Sequence, residues 1–286
     1  MTTIADIHAR WVNARKNSDG TTRDIVAGHR FAHDYYDLLS GRRYEGCTFY
    51  DAQIRLDSQD STQFVGCRFI GSTIYMRDSA AIDLIDNDFQ GEFIHESGTN
   101  PSNDRKGPTA CVRTDGSIAN INVLGNRFNG VLRAWTSIAN GTGSNINFGF
   151  NYYSGLVRSH TDMNRGECVL IHQSEGDPLW EDINFWHDTF DWNPSPHGGD
   201  MQVGSTYHGG KKPVLDIHHV NARRINLHRC TFGEHDGIRL TAKEGGFIRN
   251  INITDAVGGG YISRGGNVLD IIDRTKLGGG VVPIID

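Results

Sequence analysis

Ile121-Asn122…Asn126-Arg127-Phe128, then Ile146-Asn147…Asn151-Tyr152-Tyr153, Ile183-Asn184…Asp188-Thr189-Phe190 and Ile225-Asn226…Cys230-Thr231-Phe232 are one phrase written four times. Looser copies precede it: Tyr44…Cys47-Thr48-Phe49, Phe64…Cys67-Arg68-Phe69 and Ile82-Asp83…Asn87-Asp88-Phe89. Short apolar segments punctuated by Gly, Asn and Asp at a near-constant interval, stretched by insertions, mark a solenoid in which each repeat buries its apolar face against the next. The fold expected is all-β, a right-handed parallel β-helix over residues 43–272.

Two helices are expected to cap it within residues 1–42. Over 3–17, Ile4, Ile7, Trp11 and Val12 share one face, and Thr3 with Asp6 supplies a capping pair. Over 28–40, Phe31, Tyr35, Leu38 and Leu39 suggest a second. Residues 273–286 are expected as a C-terminal strand and tail. There Val281, Val282, Ile284 and Ile285 offer an apolar edge for self-association, a trimer being the form expected.

Composition agrees. Hydrophobic residues make up 37% of 286 and glycine contributes 35, which suits a thin core with frequent turns. The net charge of −6 argues against nucleic acid as a partner, so any anion site must come from local placement. No apolar run of membrane length and no secretory leader pattern are seen, and action outside the cell or on a virion is expected. Five cysteines lack zinc-type spacing. Cys47 and Cys67 share a repeat position at disulfide reach, but small buried thiols stacked in a reduced ladder are the expectation. Insertions near 92–110, 155–168 and beyond Phe190 are where binding groups should gather.

Strand alternation nominates those groups. With Ile54, Leu56, Ile74, Met76, Val112 and Thr114 inside, Arg55, Tyr75, Arg77, Arg113 and Asp115 point out. Placing Leu132 and Ala134 inside puts Arg133 and Trp135 outside. His172, Gln202 and Arg239 follow on later coils, and a strand at 156–160 would add Arg158 and His160. Stacked, these make a row of cations with aromatics among them, suited to an acidic chain molecule, because arginine pairs bidentately with carboxylates and aromatic faces accept sugar rings.

The phrase, together with Gly237-Ile238-Arg239-Leu240, resembles the pectate-lyase-like β-helix superfamily: polysaccharide lyases, hydrolases, epimerases and phage tailspike depolymerases. The resemblance spans about four-fifths of the chain and carries no family catalytic motif. It implies an acidic, uronate-containing polysaccharide along the outward sheet, cleaved by β-elimination. Hydrolysis, C5-epimerisation and non-catalytic, adhesin-like binding are the alternatives. Elimination needs a cation for the C5 carboxylate, a base and an acid. Arg133, or else Arg113, fits the first; His172 or Lys243 the second; Tyr207, His208 or His160 the third. His187, His218 and His228 are expected in turns or on the opposite face. No cofactor and no transition-metal spacing are expected, and calcium through Asp115, Glu167, Asp177 or Asp200 is the ion kept open. A hydrolase would instead draw a carboxylate pair from Asp115, Glu167, Glu175, Asp177, Asp200 and Asp236.

Overall fold

The structure, a computed structural model, describes residues 24–38, 40–91, 110–130, 133–137, 141–154, 167–172, 179–191, 213–233, 237–259, 261–277 and 281–283. Within them lie 26 strands and no helix. The strands pair in parallel, each with the strand one repeat later. Equivalent residues are 20 apart in the early repeats and 39, 25 and 37 apart later, so insertions lengthen a turn without disturbing its register. Three strips of parallel strands result. One contains Gln63–Val65 and Asp83–Ile85, the second Arg68–Ile70 and Asp88–Gln90, and the third Gln53–Asp57 and Thr73–Ala80.

The aromatic of the repeated phrase lies inside the second strip. Phe31, Phe49, Phe69, Phe89, Phe128, Tyr153, Phe190 and Phe232 form one column with centroids 4.5 to 5.0 Å apart. Their planes lie within 12° of parallel. The spacing is set by the backbone, since neighbouring strands sit roughly 4.8 Å apart and identical positions stack at that distance.

Two polar ladders run alongside. Outside the first strip Asn122, Asn147, Asn184 and Asn226 each donate an Nδ2–H to the residue one turn back, ending on the Asp83 carboxylate. The second ladder is buried at the corner between strips. Cys47, Cys67, Asn87, Asn126, Asn151 and Cys230 donate to the backbone carbonyls of Val26, Tyr44, Phe64, Leu84, Val123 and Phe185. Asn87, Asn126 and Asn151 also bond one another through the turns. All five cysteines are free and buried, as expected. The left-handed bend lies one residue before this ladder, at Gly46, Gly66, Asp86, Gly125, Phe150, His187 and Arg229.

The strands extend beyond the expected limits at both ends. Residues 25–37 form three strands, not a helix: left-handed Gly28 and His33 interrupt any helical run, and Phe31 joins the ring column. The expected helix over 3–17 lies outside the described residues. Val268–Leu277 and Val281–Pro283 continue the parallel pairing past residue 272.

Phe128 is buried between Phe89 and Tyr153. Phe128→Ala should therefore cost about 3–5 kcal/mol in denaturant unfolding, through lost contacts and the cavity left in a thin core.

Asp188 occupies the corner ladder's sixth rung. Its Oδ1 accepts from the Asn151 backbone and Nδ2, while its fully buried Oδ2 has no partner among the described residues. Burial pushes this carboxyl up to about 8. The sign follows from linkage: the native state holds a proton that the unfolded chain has released, so its stabilisation is complete below the ordinary carboxylate range. It is lost as pH rises to about 8. Asp188→Asn puts an N–H where every asparagine rung has one. Its gain in melting temperature over the parent should grow from pH 5 to about 8 and then level off.

Candidate outward face and histidine cluster

Only the third strip carries the expected chemistry, and its register decides which residues meet. Ile54, Leu56, Ile74, Met76, Val112 and Thr114 are buried, leaving the alternate residues outward. Arg55 lies beside Tyr75, and Tyr75 beside Arg113. The Arg113 guanidinium stands over the Tyr75 ring at 6.0 Å, and no carboxylate among the described residues pairs with it. Two residues along, Asp57, Arg77 and Asp115 alternate in sign. Tyr75 Oη donates to Asp115 Oδ2 at 2.9 Å, and Arg77 donates to the same oxygen at 3.0 Å. Burial alone would push the Asp115 carboxyl up; the Tyr75 and Arg77 hydrogen bonds outweigh it and hold the group below its usual value. Arg55 stands 3.7 Å from Asp37 and 3.6 Å from Asp57. Tyr35, Gln53, Arg55, Thr73, Tyr75, Ala110 and Arg113 line a groove of about 480 Å³. Tyr35 stands at its edge, 66% exposed.

Beyond this groove the expected row breaks. Val112 pairs with Trp135 and Arg113 with Thr136, so Trp135 points inward, almost wholly buried. Ala134 is buried as expected, but it precedes the strand, so alternation counted through it runs one residue out of step, and Leu132 lies outside the described residues. The true inward pair is Trp135 and Ser137, and the polar Ser137 disguised the pattern. It is tolerated because Ser137 Oγ accepts from Trp135 Nε1 at 2.8 Å and contacts Thr114 Oγ1 at 2.7 Å. Arg133 precedes the strand, is buried, and donates to Glu167 Oε2 at 2.8 Å. It is not in the outward row, and neither Arg133 nor Trp135 faces a ligand beside Arg113. The Arg133 contact also occupies Glu167, one of the acids considered for calcium or hydrolysis.

The later rungs bring together residues the alternation missed. The row from Arg113 continues through Thr136, Leu170, Asp216, Arg239 and Ser263. The neighbouring outward row holds His172, His218 and Thr241. Leu215–His228 thus supplies the rung that Gln202 was expected to fill. Buried Asp216 accepts from Arg239 Nε at 2.7 Å and from its terminal nitrogen, and contacts His218 Nδ1 at 2.8 Å. Burial works against the charged form of Asp216, but His218 and Arg239 outweigh it and hold the carboxyl low. Arg239 is therefore neutralised within the protein.

A β-bulge then adds a third imidazole. Pairing with Gly237–Ala242 slips between His218 and Val220, and His219 takes a left-handed φ of 55°. Bulges re-aim side chains. Here two consecutive residues reach the same neighbour: ring centroids are 4.3 Å apart for His172 and His218, and 5.5 Å for His172 and His219. One nitrogen from each of the three lies within 4.8 Å of the others. Burial first, then the neighbouring imidazoles, lowers His172 to about 4 and also lowers His219, so both are neutral near pH 7. His218 is consequently not on the opposite face, as expected of it. His187 and His228 are, paired through backbone at the corner of the first strip.

Lys243 leads into the turn after the bulge, its N–H on the Val220 carbonyl at 3.3 Å, outside the row of Arg239. Tyr207, Arg158 and His160 lie outside the described residues, as do Gln202, His208, Glu175, Asp177, Asp200 and Asp236. The signal that could have located the cluster was Val214-Leu215-Asp216-Ile217-His218, a clean strand alternation inside what reads as an insertion.

No protein-family model and no curated protein matches the chain. Among matching solved structures is the Streptococcus pneumoniae surface protein and adhesin PfbA, at 9% identity over 90% of this chain and 83% of that one. Its TM-score is 0.27, at which the likeness decides neither fold nor function.

Arg133→Ala should act on stability rather than ligand binding. Glu167 loses a charged hydrogen bond in a buried setting, costing about 1.5–3 kcal/mol. Chemical unfolding checks this, alongside glycan titration of the same variant, in which affinity should not move.

Proposed function

We propose that this chain is a right-handed parallel β-helix whose third strip binds an acidic, uronate-containing polysaccharide along its outward face. Parallel pairing of every strip supports the coil, and the strong preference of parallel crossovers for one hand supports its handedness. The observation that carries the ligand class is the groove of Tyr35, Arg55, Tyr75 and Arg113 on adjacent rungs. Tyrosine faces accept the apolar side of a pyranose ring. Arg113, stacked on Tyr75 and without a carboxylate partner among the described residues, is the cation that would meet a uronate carboxylate through paired N–H donors. A strip of equal rungs suits a ligand of equal units.

Cleavage by β-elimination is the second reading, favoured by the His172, His218 and Asp216 arrangement. A carboxylate that orients an imidazole is the usual support for a proton carrier. The cluster lies two to three rungs beyond Arg113, roughly 10–15 Å at the strand spacing. A sugar chain filling the groove could extend over it. Arg133 takes no part, and Arg239 is engaged by Asp216.

Calorimetric titration with polyuronates and with neutral glycans of similar length tests the first reading. Uronates should bind, neutral glycans should not, and added salt should weaken the complex. Arg113→Ala should reduce affinity about ten- to a hundredfold, the worth of one charged hydrogen-bonded contact. Equal binding of neutral glycans, or an Arg113→Ala variant indistinguishable from the parent, would sink the reading. Ultraviolet absorbance of unsaturated product decides whether binding is accompanied by elimination.

A further inference from the structure

We propose that His172, His218 and His219 form a binding site for a divalent transition-metal ion of the zinc class, with Asp216 orienting His218 and a fourth position open to solvent or ligand. The proposal goes beyond the glycan reading and stands or falls separately from it.

The donor set selects the ion. Three imidazoles suit zinc and its neighbours, whereas calcium demands oxygen ligands. Zinc–nitrogen bonds of about 2.0–2.1 Å in a tetrahedron place ligand nitrogens roughly 3.4 Å apart. The three nitrogens here all lie within 4.8 Å of one another, so side-chain rotation alone must close the remainder. His172 and His218 are anchored on paired strands, and the bulge carries His219 to them.

The surroundings are those of a metal ligand rather than of a solvated surface. Asp216 is ionised and buried, and its carboxylate can only accept, so the 2.8 Å contact places the proton on His218 Nδ1. Arg239 lies 3.0 Å from the same nitrogen; with Nδ1 protonated this is a contact and not a hydrogen bond, and Nε2 keeps the lone pair that a metal would take. A carboxylate behind a ligating histidine fixes its tautomer and raises its basicity. Arg239 cancels the Asp216 charge, so the ion would meet an electrically balanced pocket. Two buried polar atoms flank His218, His172 Nδ1 on one rung and Thr241 Oγ1 on the other. Neither has a hydrogen-bond partner among the described residues. Buried polar atoms without partners are uncommon, and a bound ion with its water is one arrangement that accounts for them. Three protein ligands with exposed His219 leave the fourth position accessible, as in catalytic rather than structural zinc sites. A ligated imidazole no longer takes a proton, so metal occupancy would also remove His218 as the base in any elimination.

The full chain, stripped with chelator, is titrated with Co²⁺ and followed by its visible d–d absorption, then with Zn²⁺ in competition. One saturable equivalent with an intense four-coordinate cobalt spectrum is expected. His219→Ala removes an exposed side chain and should leave the metal-free unfolding curve unchanged while weakening metal binding at least tenfold. His218→Gln should do the same, and Asp216→Asn should weaken binding about 10- to 100-fold. His33→Ala, at an exposed histidine on the first turn, should bind as the parent does. No saturable equivalent in the parent would overturn the proposal. So would equal loss in His33→Ala and His219→Ala, which would mark scattered binding to surface histidines, or full retention in His219→Ala.

Discussion

Everything in this protein hangs on the spacing between parallel strands. A side chain meets the same kind of residue above and below it, one strand separation away, for as long as the repeat lasts. Phenylalanine is well suited to that constraint. A column from Phe31 to Phe232 keeps its rings within 4.5 to 5.0 Å and nearly coplanar, filling a thin core that small aliphatic side chains would leave loose. Because the column depends on pairing rather than chain length, insertions of very different size leave it intact.

The same constraint sorts polar residues. An amide both donates and accepts, so asparagine can stack on asparagine, as at 122, 147, 184 and 226, while the acid Asp83 only accepts, from Asn122 on one side and Gln63 on the other. Like charges stack this way only at a cost. Two unit charges one strand apart repel by about 1 kcal/mol even in water, and by several times that near a protein surface. On the third strip the early outward rows accordingly alternate in sign, as in Asp57, Arg77 and Asp115, or separate arginines by tyrosine, as in Arg55, Tyr75 and Arg113, and where Arg223 meets Arg249 on the first strip, Glu181 pairs with Arg223. A continuous arginine ladder would have violated that rule. Asp188 breaks it inside the core and does so as the protonated acid, burial having raised its carboxyl to about 8.

Departures from the repeat create the chemistry. Where the register runs unbroken, the third strip offers a groove of arginine and tyrosine. Where a bulge interrupts it at His219, two consecutive residues reach one neighbour, which regular alternation forbids. Asp216 and Arg239 then hold His218 in one orientation from within the same face.

The all-β class, the inward ring column, the reduced cysteines and the outward positions of Tyr75, Arg77, Arg113, Asp115, His172 and Arg239 were all legible in the sequence. Each depends on a local period of two and a repeat that recurs in the chain. The fates of Arg133, Trp135 and His218 were not. Alternation reads a strand correctly only when its first residue is known, and Ser137 disguised that start. The Asp216 rung lay within an apparent insertion, and no local pattern announces a bulge. Nor did residues 25–37 reveal that they complete the first turn, because Phe31 earns its place only by stacking on Phe49. The sequence by itself determined which residues face in or out wherever the period held. Tertiary structure alone decided which outward residues meet, because lateral register is a property of paired strands and not of any one of them.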